Sequence, residues 1–202
     1  LGEQGGSLAD RDREQLEKVL GTTRYQSIGF LLDAVARARA VARIETPQAE
    51  GYGTGFLVRG SDLHPSLGEE VVAVTNAHVV SDDPRERDAL HPSDATVAFR
   101  FPDSGSGQVE LAVTGSVWSS PSWLLDAHVL RVEAPPSLPD PMPLSTHLPT
   151  MGPGEDEQRI YVIGHPRGGA LSVSLQDNLL LDHEGPPGGR PPNPEVRRIH
   201  YR

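Results

Sequence analysis

The chain has 202 residues, with 18 basic against 28 acidic side chains and a formal net charge of −10. That length supports a sizeable core in one large or two small domains, and the acidic balance argues against nucleic acid or an anionic membrane as a partner. No apolar run reaches about 18 residues, so no membrane-spanning helix is expected, and the absence of cysteine removes disulfides, thiolate metal sites and cysteine nucleophiles together.

The first residue is Leu1, which leaves a processed or incomplete N-terminus open; with no signal peptide in the sequence, a cytoplasmic location is the expectation. Ser7 and Asp10 have the spacing of a capping box, and Leu16, Val19 and Leu20 repeat at helical spacing until Gly21. Ile28, Leu31, Leu32 and Val35 form a second apolar stripe, with Asp33, Arg37 and Arg39 elsewhere. Residues 1–40 therefore read as a helical segment that braces the main body or seats on a partner.

At Val41 the hydrophobic period changes from 3.6 to 2. Strands are predicted over Val41–Ile44, Gly55–Val58, Val71–Thr75, Thr96–Phe101, Val109–Val113, Ala127–Val132, Ile160–Ile163 and Leu171–Leu175. The 21 glycines and 19 prolines punctuate them, in clusters such as Asp103–Gly107 and Pro135-Pro136-Ser137. Many short strands without intervening helices predict a mainly β protein, an antiparallel barrel or sandwich. Ala134–Pro149 reads as a linker between two β units, and Gly185–Pro194 as an exposed loop.

Two segments carry chemistry. Val71–Thr75 runs into Asn76-Ala77-His78, which places an imidazole at a strand end where it is fixed yet accessible, as a general base must be. A histidine beside apolar residues also serves structural roles. Asp126 interrupts the apolar stretch Trp123–Val132, and a carboxylate there needs a partner. Pairing with Arg131 or capping a turn is one reading; orienting the His78 imidazole is the other.

Gly53-Thr-Gly55-Phe-Leu-Val58, Thr75-Asn-Ala-His78-Val-Val80 and Leu125-Asp126-Ala-His-Val-Leu130 resemble the trypsin-like serine peptidases, closest to the disulfide-free bacterial branch of HtrA and glutamyl endopeptidase types. Tyr161-Val-Ile-Gly-His-Pro166 with Gly168-Gly169 is similar to the start of that family's second barrel. The helical preface and Trp118-Ser-Ser-Pro121 resemble a bacterial subgroup associated with intracellular conflict effectors, which implies an effector partner for the N-terminal helices. The resemblance implies a double antiparallel β-barrel: a first barrel over residues 41–134, a linker over 135–150 and a partial second barrel over 151–202. It also implies His78 as catalytic base, Asp126 as its orienting carboxylate, a protein or peptide substrate, and no cofactor.

One departure matters. The family's nucleophile lies in a G-x-S-G loop, and no G-x-S-G occurs here. Ser106 lies between His78 and Asp126, in the wrong order, and Ser172 and Ser174 alternate as strand residues without the glycines an oxyanion turn needs. Arg198–Arg202 resembles the strand that leads into the serine loop, so the sequence is expected to be a fragment of a serine endopeptidase, inactive alone. The alternative is a non-catalytic module whose cleft binds an extended peptide by strand addition. Gly164–Gly169 fails as a phosphate loop because a strand pattern follows it rather than a helix. His128 stands two residues beyond Asp126, on the same side of a strand, but no metal-ligand spacing matches and no metal is expected. Gln176-Asp-Asn178 shapes either a pocket or a plain turn.

Overall fold

The change of period at Val41 is where helix gives way to sheet. The protein, seen as a computed structural model, is described over residues 27–101, 108–149, 158–175, 178–184, 191 and 198–201. The expected first helix, Ser106, Gln176, Asp177 and most of the Gly185–Pro194 loop lie outside the described residues.

Helix α1 spans Ile28–Ala38, started by Ser27, whose Oγ accepts a hydrogen bond from the Phe30 N–H at 3.0 Å. Its apolar stripe does not pack inward as a brace: Ile28 and Leu32 are 69% and 64% exposed, and no α1 residue is buried. The helix turns directly into β1, the Ala40 N–H bonding the Arg37 carbonyl, and its inward contact is Phe30 against Tyr161, ring centroids 4.6 Å apart. Leu32 and Val35 instead rim a groove of ≈580 Å³ shared with Phe99, Leu138 and Met142.

Six strands follow: β1 Val41–Glu45, β2 Gly51–Arg59, β3 Val71–Thr75, β4 Thr96–Phe99, β5 Val109–Ser120 and β6 Ala127–Val132, with a short helix α2, Gly60–Leu63, after β2. They close into an antiparallel barrel in the order β1-β2-β3-β6-β5-β4, and closure leaves no free edge. Alternate residues point inward, so Ile44, Leu57, Ala73, Val97, Leu111 and Leu130 form one fully buried core. β5 is longer than its apolar pattern predicts, running on to Ser120. Register shifts at Val113/Gly115 and Ser116/Trp118 bend it around the barrel wall.

One carboxylate lies in this apolar wall. Glu45, 1% exposed, accepts hydrogen bonds from Arg43 Nε at 2.6 Å and from Arg100 Nε and Nη2 at 2.9 and 2.6 Å. Burial by itself raises its pKa, but the hydrogen bonds from Arg100 and Arg43 and their charges outweigh that and hold it below the ordinary value.

The Pro-rich segment after β6 is laid on the barrel rather than hanging as a free linker. Met142 N–H bonds the Leu57 carbonyl at 2.8 Å, and Leu138 packs on the core. Beyond it, β7 Val162–Gly164 pairs with β8 Ser172–Ser174, and β9 Leu180–His183 with β10 Ile199–Tyr201, as two two-stranded sheets. Among the described residues they do not close into a second barrel. The period-2 signal located β7 two residues early and missed β9, because Leu179-Leu-Leu181 is an unbroken apolar run that fits either helix or strand. Gly51 and Gly168 join this part to the barrel. Their backbones approach so closely that a Cβ on either would overlap the other, and Gly168 has a positive φ of 68°. No described helix is long and apolar enough to cross a membrane.

Candidate active site

The register of β3 against β6 sets the site. Thr75, the last residue of β3, lies opposite His128 near the start of β6, so the turn leaving β3 and the loop entering β6 emerge at the same end of the barrel. That is how two residues 48 positions apart in sequence meet.

After Thr75 the chain makes a tight turn in which Val79 and Val80 N–H groups both bond the Asn76 carbonyl. Ala77 and Val79 are buried and anchor the turn, which leaves Asn76 and His78 outward. Small residues are needed beneath it. A Cβ at Gly53 would stand 2.6 Å from a Val79 methyl carbon, and one at Gly55 2.9 Å from Ile44 Cδ1. This is a physical reason for the Gly-x-Gly pattern in β2. Gly53→Ala is expected to push Val79 aside at a cost of about 2 kcal/mol, read by chemical denaturation together with a shift of the His78 ring resonances.

Asp126 is delivered by a second turn. Leu124 and Asp126 N–H groups bond the Pro121 carbonyl at 2.9 and 3.1 Å, and buried Ser120 accepts the Leu125 N–H on its Oγ. Asp126 itself has φ 50°, a left-handed conformation that Asp tolerates better than most residues. Its carboxylate reaches across to the His78 turn. Oδ2 lies 2.7 Å from His78 Nδ1, Oδ1 accepts the His78 backbone N–H at 3.1 Å, and Asn76 Nδ2 donates to Oδ2 at 3.2 Å and to the Asp126 carbonyl at 3.0 Å. Because a carboxylate oxygen accepts, the ring proton belongs on Nδ1 and the Nε2 lone pair is left for another group. His78 is 60% exposed and Asp126 26%, so the pair is open to a reactant but partly shielded on the carboxylate side.

The Asp126 turn is also tied, away from the pair, to the loop that follows the His78 turn. The Ser122 N–H donates to Glu86 Oε1 at 2.8 Å, and the Arg85 guanidinium, paired with Asp83, lies 4.5 Å over the Trp123 ring. Beside Asp126 a cavity of ≈660 Å³ opens between the barrel and the β7–β8 sheet, lined by Thr54, Asn76, Ile163 and Val173 among others.

Of the residues singled out in sequence, His78 and Asp126 are brought together. Arg131 is not Asp126's partner; it pairs with Glu70. His128 does not share the Asp126 side, because the left-handed residue rotates the chain before β6 begins. It is fully buried and bonds the Val80 carbonyl. Among the described residues no group of three His, Asp or Glu side chains is placed to hold a metal. Ser172 and Ser174 are exposed strand residues. The Gly164–Gly169 segment is a single 3₁₀ turn, Pro166–Gly168, with no helix behind it. Asn178 donates to Ser174 O and Oγ. Asn76 belongs to the strand-end motif, but its bonds to Asp126 are visible only in the structure.

A closed six-stranded barrel with a His–Asp pair at one rim is the arrangement of a trypsin-like peptidase domain. Residues 53–201 match that family, to which the chain belongs. Among solved structures, the inactive form of the Rv3671c protease is similar at 23% identity and a TM-score of 0.41, over 87% of this chain and 70% of that one. No curated protein matches the sequence.

Proposed function

We propose that the chain supplies the base and orienting carboxylate of a serine endopeptidase acting on protein or peptide substrates. The observation that supports this most is the 2.7 Å contact between His78 Nδ1 and Asp126 Oδ2, on a histidine side chain that is 60% exposed. In such an enzyme His78 Nε2 takes the proton of a serine hydroxyl as the oxygen attacks the scissile carbonyl, then returns it to the leaving amine. Asp126 fixes the tautomer and stabilises the imidazolium. Water then hydrolyses the acyl-enzyme by the same proton transfers. No cofactor enters these steps.

No G-x-S-G occurs in these 202 residues, so this reading takes the nucleophile from polypeptide outside them, and the 202-residue chain alone is expected to leave an unstructured protein substrate uncut. In the serine-bearing protein, His78→Ala is expected to abolish both cleavage and labelling by a serine-directed phosphonate, with the circular dichroism spectrum unchanged. Cleavage retained by that variant would overturn the assignment.

The same missing motif favours a second reading, a protease-derived module that binds an extended peptide without cutting it. Saturable peptide binding by a longer protein that shows neither cleavage nor phosphonate labelling would make that reading the better one.

A further inference from the structure

The mechanism above uses one histidine, yet a second lies directly behind it. His128 is fully buried, and burying an imidazole is costly unless its nitrogens find partners. Both do. Nδ1 lies 2.8 Å from the Val80 carbonyl, and Nε2 lies 3.0 Å from Ser116 Oγ, whose one proton Nε2 and Asp82 Oδ2, also 3.0 Å away, compete for. A carbonyl only accepts, so His128 Nδ1 carries the proton and donates it to Val80.

Val80 is two residues past His78 and closes the same turn through its N–H on the Asn76 carbonyl. The turn is therefore gripped from both sides. Asp126 holds its outer side through the His78 N–H, and His128 holds its inner side through the Val80 carbonyl. Ser116 Oγ stands against the ring's other nitrogen and 3.0 Å from Asp82, on the segment that leaves the turn. A strand residue with an apolar side chain would fill the same space but leave the buried Val80 carbonyl without this donor.

We propose that His128 is a positioning residue, which, by bonding the Val80 carbonyl and leaning on Ser116 and Asp82, holds the His78 turn at the distance where the imidazole meets Asp126. This rests on the reading of His78 and Asp126 as a working pair.

The test is amide hydrogen exchange by NMR on the 202-residue chain. In His128→Leu, exchange at the His78 and Val80 amides is expected to quicken about tenfold, the consequence of one lost buried hydrogen bond, while amides of β1 and β4 are unchanged. His128→Asn, which keeps a donor at the δ position, is expected to restore much of the protection. Unchanged exchange at Val80 in a folded His128→Leu chain, or quickening spread equally over β1 and β4, overturns the proposal. If His128→Leu does not fold, Ser116→Ala decides: a local increase of about threefold at Val80 is expected from the loosened ring, and no increase overturns the proposal. An unprotected His78 amide in the unaltered chain would instead count against the His78–Asp126 pairing, leaving the Val80 response as a separate result. In the serine-bearing protein the His128 variants are expected to lower kcat while leaving KM unchanged.

Discussion

Asp126→Asn in the serine-bearing protein is expected to lower kcat by about 10⁴ while leaving the barrel folded. The left-handed backbone at position 126 suits asparagine as well as aspartate, so the substitution adds no strain. What changes is the donor–acceptor pattern. Asp126 accepts from the His78 ring, the His78 N–H and Asn76 Nδ2. An amide that keeps its oxygen on the His78 backbone N–H puts its NH2 where Oδ2 was, so it gives up the Asn76 bond and presents an N–H to His78 Nδ1. The ring then carries its proton on Nε2, where the lone pair is needed, and cannot act as a base. Steady-state hydrolysis measures the rate loss, and ¹⁵N spectra of the histidine ring report the tautomer even in the 202-residue chain. A kcat within about tenfold of the unaltered enzyme would mean that Asp126 is not the orienting group.

Glu45→Ala is expected to cost about 4 kcal/mol of folding stability, because removing one member of a buried ion network leaves the others uncompensated. Two guanidiniums converge on Glu45. Arg43 has weaker contacts to the Gly168 and Ala49 carbonyls, and Arg100 also pairs with Glu110 at 2.8 Å. Those contacts cannot replace a buried carboxylate. Denaturant unfolding at neutral pH measures the loss; a change below about 1 kcal/mol would place the network with the weak exposed ion pairs.

The same site sets an acid limb. Glu45's folded pKa lies below 4.5, so the unfolded chain takes up the proton first as pH falls, and the carboxylate's contribution is complete above 4.5 and lost below it. His165 acts earlier. Burial, and secondarily the nearby Arg43, lower its pKa from 6.5 against the opposing hydrogen bond to the Gly169 carbonyl, so its share begins to be lost as pH drops under 6.5. A stability profile falling in two stages, the lower one absent in Glu45→Ala, is the expected result.

Much of this was legible in order and pattern. Short apolar and β-branched runs between turn formers located the six strands of the barrel, because each puts at least one face in a core, and that constraint is written locally in the residues. The paired glycines before the His78 motif were equally visible, and close packing against Val79 excludes a Cβ at Gly53 as Ile44 does at Gly55. Resemblance to the trypsin-like peptidases, in order and spacing, nominated His78 and Asp126.

The sequence did not show which way α1 turns its apolar stripe, because an amphipathic pattern names a face without naming what covers it. Nor did it show that Glu45 is buried between Arg43 of its own strand and Arg100, just past β4 and 55 residues away. The neighbours of Asp126 and His128 stayed hidden for the same reason. Alternation alone places His128 on Asp126's side, and only the left-handed backbone at 126 and the pairing of β6 with β3 send one side chain to the rim and the other into the wall. Local pattern thus determined the strands and the residue types that meet at the rim. The tertiary structure decided which of those residues touch, because hydrogen bonds across a barrel depend on register and closure, which no single segment contains.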